Sequence, residues 1–269
     1  MTRPKYIPLL ARQLLCNSIV YKIYEKILWN QIKDGETPEH IGVILDGNRR
    51  WASEHFVPLW AGHQTGADKV EDLLNWCLDL KVRTTTLYIL STENFNRSEQ
   101  EVHELMRLFN ERLTKVLSNK LIHEQQVKIR AIGRIALLPK KTQELIATIE
   151  ESTKGYDRYY MNMAIAYGGR AEIIDATKKI SEKVRAGEIN LEDIDESTIE
   201  KHLYTSHLPN SEPDLIIRSS GEARLSGFLL WQGAYSELCF VDVYWPDFRR
   251  IDLWRAIRTY QRRERRYGT

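Results

Sequence analysis

Short apolar runs that end in polar, glycine-bearing loops recur along this chain, with longer stretches of helical period between them. Residues 40–45 form one such run and lead directly into Asp46-Gly47-Asn48. Residues 84–90, β-branched and apolar, lead into the polar segment 91–97. Residues 127–132, 159–167, 214–218 and 237–241 read as further strands. Helices are predicted over 65–80, from Ser98 to about 121, from Pro139 onward, from 170 to about 183, and over 251–266. Ser98 with Glu101 three residues on reads as a capping box, and Pro139 suits a first helical turn. Strands that alternate with helices predict an α/β fold: a single domain with a mostly parallel central sheet flanked by helices. Ligands of such sheets sit outside the carboxyl ends of the strands, where most of these polar loops fall.

Ahead of the first strand, residues 7–33 have the period of an amphipathic helix. Leu15, Ile19, Ile23 and Ile27 recur at every fourth position, Leu28 and Ile32 lie beside them, and Lys22, Lys26 and Lys33 add positive charge. Such a helix either packs on protein or makes peripheral contact with a membrane. Asp34-Gly35 ends it and Thr37-Pro38 opens a new segment, which separates an N-terminal extension, 1–37, from the body, 38–269.

Composition narrows the classes. The 269 residues are 42% hydrophobic and 28% charged, enough for a sizeable core. A net charge of +2 gives no footprint for nucleic acid. Cys16, Cys77 and Cys239 are far apart and odd in number, which points to buried thiols in a reducing, cytoplasmic setting. Gln13, Asn17 and Lys22 interrupt the first apolar run, so no signal peptide is expected. No stretch reaches the roughly 20 apolar residues of a membrane span.

The candidate chemistry lies in the loops. Asp46 is a hard oxygen ligand suited to magnesium, Gly47 lets backbone approach an anion, Asn48 can donate, and Arg49 and Arg50 can meet phosphate, with Trp51 beside them. Arg218, Arg224 and Ser226, spaced by Gly221, can wrap a diphosphate after a buried strand. Ser91, Glu93, Asn94 and Arg97 can orient a substrate or cap the helix that follows. His63 is the histidine to follow, and Glu237 is a second candidate carboxylate for the metal. No Walker A loop, Gly-x-Gly-x-x-Gly fingerprint, Gly-x-Ser-x-Gly elbow or zinc-spaced histidine pair is present.

Taken in order, residues 40–52, Ala61-Gly62-His63, residues 91–97, 166–170, 214–222, 228–232, 235–238, 245–248 and 263–268 resemble the cis-prenyltransferase family, that of undecaprenyl and dehydrodolichyl diphosphate synthases. The resemblance covers nearly everything from residue 38 on and makes 38–269 the catalytic domain. It implies a parallel sheet with an elongated apolar tunnel, and condensation of an allylic diphosphate donor with isopentenyl diphosphate to give cis double bonds. It implies that Asp46 and Glu237 hold Mg2+, and that Gly47, Asn48, Arg50 and His63 surround the donor diphosphate. By the same resemblance Arg218, Arg224 and Ser226 bind isopentenyl diphosphate, and Asn94 and Ser91 lie by the reacting carbons. Arg266 and Gly268 match a tail that reaches the neighbouring site of a homodimer. The Asp-Asp-x-x-Asp helices of trans-prenyltransferases are absent.

Several positions depart from the family pattern. Leu59 stands where an arginine precedes Ala-Gly-His, Ser219-Ser220 where Thr-Gly is usual, and Ala223 where a histidine follows. Gly227 and Ala166 replace asparagines. The loss at Leu59 implies a looser grip on the donor diphosphate or a relaxed choice of acceptor. The bulky Ile89 in the expected tunnel wall points toward shorter products. A non-catalytic subunit and a diphosphate-lipid binding or hydrolysing protein are the competing readings. Retention of Asp46, Arg50, Arg218 and Arg224 favours catalysis.

Overall fold

β1 (His40–Ile44) is buried at every position, and that is why its sequence reads as a run rather than an alternation. The computed structural model describes residues 19–263. Six strands form one all-parallel sheet in the order β3-β4-β2-β1-β5-β6. The others are β2 (Thr84–Ser91), β3 (Val127–Ile132), β4 (Tyr159–Tyr167), β5 (Leu215–Arg218) and β6 (Glu237–Phe240). All six lie within a residue or two of the sequence expectation. Pro38–Phe248 forms one compact unit. β1 sits between β2 and β5, so the chain leaves it first toward one side of the sheet and later returns to the other. The crevice outside the carboxyl ends of β1 and β5 is therefore the switch point at which such folds bind ligands.

The helices differ more. α2 (Asn48–Glu54) follows β1 at once, and α3 (Leu59–Asp79) begins six residues before the predicted start. The reason is Pro58: as N-cap it has extended backbone, and the helix can run from the next residue through Gly62 and Gly66. α4 (Glu99–Leu117) stops short of 121 because Asn119 caps a new short helix, α5 (Lys120–Glu124), accepting from Leu121 N at 3.0 Å. α6 (Lys140–Thr153) and α7 (Gly169–Arg185) match expectation, and α8 (Glu196–Glu200), set up by an Asp195–Thr198 capping box, was not foreseen.

A row of polar side chains crosses the interior of the sheet. His40 Nε2 lies 2.8 Å from Thr86 Oγ1, Asn162 Nδ2 donates to the same oxygen at 3.0 Å, and Asn162 Oδ1 lies 2.9 Å from His207 Nε2.

The described residues on either side, 19–37 and 249–263, form a second unit built on α1 (Ile19–Ile32) and α9 (Arg250–Arg262). Trp29 and Trp254 meet at 5.3 Å, Arg250 pairs with Glu25 at 3.1 Å, and Gln261 Nε2 donates to Ile32 O at 2.9 Å. The row Ile19, Ile23 and Ile27 is exposed, whereas Leu28 and Ile32 are buried. Residues 7–18, with Leu15 and Cys16, lie outside the described residues. Cys77 is a buried free thiol. Among the described residues no helix is long and apolar enough to cross a membrane.

Candidate active site

β1 delivers Asp46 and β5 delivers Arg218 to the same level, since Ile44 and Arg218 are ladder partners. Arg218 Nη2 lies 2.7 Å from Asp46 Oδ2, and Arg50 Nη2 lies 3.4 Å from the same oxygen. Arg218 is 5% exposed. Its Nη1 donates to Ser226 Oγ at 2.7 Å and to Arg224 O. Arg50 donates to Ser220 Oγ at 2.7 Å and to Glu222 at 3.2 Å, and Arg224 pairs with Glu222 at 2.7 Å. Burial raises the Asp46 carboxyl, but the hydrogen bonds from Arg218 and Ser220 and the charges of both arginines outweigh it. The net pKa falls below the usual aspartate value, so the carboxylate is ionised at neutral pH.

Local geometry fixes this loop. Gly47 has φ +105°, and an added Cβ would lie 2.7 Å from the Tyr244 ring and 3.1 Å from Ser220 Cβ. Asp46 N donates to Ile44 O at 3.0 Å and to Ser219 Oγ at 2.9 Å, and Asp46 O accepts from Trp245 N at 3.0 Å. Ser220 and Ser226, on the loop after β5, have φ of +81° and +49°, and each is followed by a glycine that shares the left-handed turn.

A second cluster lies across Asn48. Glu101 Oε1 is 2.9 Å from Arg97 Nη1, 3.6 Å from Arg49 Nε and 3.8 Å from His63 Nε2. Its backbone N–H meets Ser98 Oγ at 3.4 Å, so Ser98 caps the helix as expected, but the return bond of a capping box is not made, because the carboxylate belongs to the cationic cluster. Only its position four residues after Arg97 could have hinted at this. Burial pulls the His63 imidazole down to about 4, Arg97 adds to the effect and Glu101 opposes it. His63 is therefore neutral at physiological pH.

Other expected residues have different partners. Asn94 Oδ1 accepts from Ser91 N at 3.0 Å in the turn after β2, and Glu93 beside it is exposed. Trp51 Nε1 donates to Asp247 at 3.0 Å while its ring stacks on His55. Glu237 is not brought to Asp46 within the chain. It pairs in register with Leu215, three residues before Arg218, which places it about 10 Å down the sheet at ~3.3 Å per residue. Arg266 and Gly268 lie outside the described residues. Ser219, Ser220, Glu222 and Tyr244 complete the site and had not been assigned a part in it.

From the level of Asn48 and His63 an apolar cavity of about 230 Å³ descends between α3, α4 and β2, past Ile89, Leu87, Leu74 and Leu108 to Val82 and Tyr159 at the amino end of the sheet. A wet, cationic mouth on a dry hydrocarbon tunnel suits a molecule with a diphosphate head and a prenyl tail, and marks the protein as a prenyltransferase. Residues 44–268 match the model of the family described as putative undecaprenyl diphosphate synthase. A tritrans,polycis-undecaprenyl-diphosphate synthase (geranylgeranyl-diphosphate specific) of Methanocaldococcus jannaschii is 54% identical over 256 residues, 95% of this chain and 91% of that protein. A GGDP-specific synthase of Sulfolobus acidocaldarius is 50% identical over 250 residues, 93% of this chain and 95% of its own. The crystal structure of lavandulyl diphosphate synthase from Lavandula x intermedia, in complex with dimethylallyl diphosphate, superposes with a TM-score of 0.84 at 38% identity, covering 87% of this chain and 99% of that one. The chain belongs to the cis-prenyltransferase family. It transfers a prenyl group from an allylic diphosphate to isopentenyl diphosphate with cis double-bond formation, a step of isoprenoid synthesis.

Three histidines, His40 buried and His63 and His207 partly so, give a pH dependence that can be read directly. Burial holds His40, His63 and His207 near 4 when folded, whereas each takes up a proton near 6.5 when unfolded. The unfolded chain then binds more protons, so stability falls as pH drops from about 6.5 to about 4. Glu172, pushed upward by burial, works in the opposite direction. The denaturant midpoint should decline over that window, and a level midpoint would remove the effect.

Proposed function

We propose that the chain elongates geranylgeranyl diphosphate with isopentenyl diphosphate to a long polycis-prenyl diphosphate. What carries the reading is the Asp46–Arg218 pair at the head of the tunnel, beside the Arg49–Glu101–Arg97 cluster, together with the donor named for the two relatives described above. Gly47, Asn48, Arg49, Arg50, His63 and Arg97 hold the donor diphosphate, with Trp51 bracing α2. Arg218, Arg224 and Ser226 hold isopentenyl diphosphate. Ser91, Glu93 and Asn94 orient the reacting carbons. The donor C1–O bond breaks, C1 joins the terminal alkene carbon of isopentenyl diphosphate, a proton leaves C2, and diphosphate departs onto the arginines.

Mg2+ is part of this proposal. Among the described residues no group of three His, Cys, Asp or Glu side chains converges. Magnesium suits a site of one or two carboxylates completed by phosphate oxygens and water, and Asp46, held ionised at the mouth, fits that use. Bound there, the ion supplies charge stabilisation to the leaving diphosphate. Glu237 can join it only through some arrangement other than this chain's own ladder.

The functional unit is a homodimer, in which Arg266 and Gly268 serve the neighbouring site. Residues 1–37 act as an extension to the catalytic domain 38–269, with α1 making peripheral membrane contact at the cytoplasmic face. The exposed row Ile19, Ile23 and Ile27 supports that contact. One assay tests the set. Purified chain with Mg2+, labelled isopentenyl diphosphate and a panel of farnesyl, geranylgeranyl and dimethylallyl diphosphates should give its highest rate and longest product with geranylgeranyl diphosphate. Diphosphate release without a new carbon–carbon bond would reject the reading. Rates unaltered by chelator would reject the metal, and failure to sediment with anionic vesicles would reject the membrane contact.

A further inference from the structure

The wall that α4 presents to the tunnel is an aliphatic stripe. Leu105, Leu108, Phe109, Leu113 and Val116 all line the cavity and recur at three- and four-residue spacing. Position 112 falls inside this stripe, and it is an arginine. Lys115 also reaches the cavity, but its side chain is 62% exposed and belongs to the outer edge. Arg112 is different, with a side chain only 21% exposed.

Its guanidinium is tied at one corner. Nη1 lies 2.6 Å from Oδ1 of Asp68, an exposed carboxylate on α3. Nε and Nη2 are shut off from water and have no hydrogen-bond partner. A charged head is thus folded into the apolar wall by a single link to the helix opposite. Hydrocarbon lying against it supplies no acceptor for either group.

Position along the tunnel gives this a consequence. Arg112 is eleven residues beyond Glu101, about 16 Å along α4 at ~1.5 Å per residue. Further down, the wall is aliphatic again at Leu78 and Val116. Space therefore exists beyond the arginine, and a growing tail reaches it only past the clamped head. We propose that Arg112, clamped to Asp68, is a specificity determinant that sets how far the prenyl tail penetrates and so how long the product grows.

The inference rests on the elongation reading, and two measurements keep the two apart. Mass analysis of products from Arg112→Leu should show the main product longer by at least one isoprene unit than that of the unaltered protein. Asp68→Asn, which keeps the arginine but loosens its clamp, should broaden the distribution in the same direction. The second measurement needs no turnover. Affinity for saturated alkyl diphosphates of increasing length should climb by up to about four-fold per buried methylene and then level off. In Arg112→Leu the levelling should move to longer chains. An unshifted product in a folded Arg112→Leu protein, or a plateau at the same length, overturns the proposal. A shifted plateau in a protein that makes no chain supports it and tells against elongation instead.

Discussion

Asp46→Ala should lower turnover by about two to three orders of magnitude, the scale of losing one preorganised electrostatic group, and should destabilise the fold as well. The two effects have one source. Arg218 is 5% exposed and its strongest partner is the Asp46 carboxylate at 2.7 Å. Removing one member of a buried pair costs about 3–5 kcal/mol because the other charge is left behind. Asp46 has a side chain 29% exposed, and Arg218 keeps Ser226 and Arg224 O, so the cost here should fall at or below the lower end. Asp46→Asn preserves shape but not charge, and should recover part of the stability and little of the rate. Asp46→Ala combined with Arg218→Ala should lose far less than the sum of the singles, since both remove the same contact. Steady-state kinetics and thermal melts on the four proteins check this. Retention of half the rate in Asp46→Ala would remove the role assigned to it.

Gly62→Ala should be nearly as damaging, although it adds one methyl group. In an exposed helix interior this change stabilises by about 1 kcal/mol. In α3 the new Cβ would lie 2.2 Å from Asn48 O, a backbone atom that cannot rotate away. Gly66, one turn on, is equally close to Asn48 Oδ1. These two glycines let α2 lie directly on α3. Overpacking of this kind costs about 1–3 kcal/mol, enough to cancel or exceed the helical gain. The rate should suffer more than the stability. α2 must retreat by something like 1 Å and carry Asp46-Gly47-Asn48 with it, and a displacement of that size costs on the order of 100-fold. A Gly62→Ala protein with a higher melting temperature and full kcat/KM would show that the helices have slack.

Strands and site loops were legible because burial on both faces turns a parallel strand into an apolar run, and the polar residues at its end stand out. Asp46, Arg50, Arg218 and Ser226 could be grouped on that basis. Glu237 could not be placed, since its own run says nothing about which neighbour it pairs with or in what register. The start of α3 was hidden by the two glycines, which weaken a helical pattern and are required there by α2. Glu101 was masked by its other role: Ser98 three residues earlier explains it as a cap, and only the folded chain shows its carboxylate among Arg49, Arg97 and His63. For α1, the period gave the stripe but not which side of it faces water.

The row from His40 through Thr86 and Asn162 to His207 bears on how the sheet finds its alignment. A strand apolar on both faces has no inner and outer side, so sliding it past its neighbour by one position exposes nothing and changes hydrophobic burial little. Slid by one, β1 would set His40 opposite Arg83 or Thr85 instead of Thr84 and break its hydrogen bond to Thr86, leaving the buried ring unpaired at a cost of about 1–3 kcal/mol, and the Thr86–Asn162 bond ties β2 to β4 in the same way. The polar rung thus acts as a keyway. It lets three central strands, β1, β2 and β4, lock at one setting, while Asp214, just ahead of β5, accepts from His40 N at 3.0 Å and helps hold the ends of β1 and β5 level, with Asp46 facing Arg218.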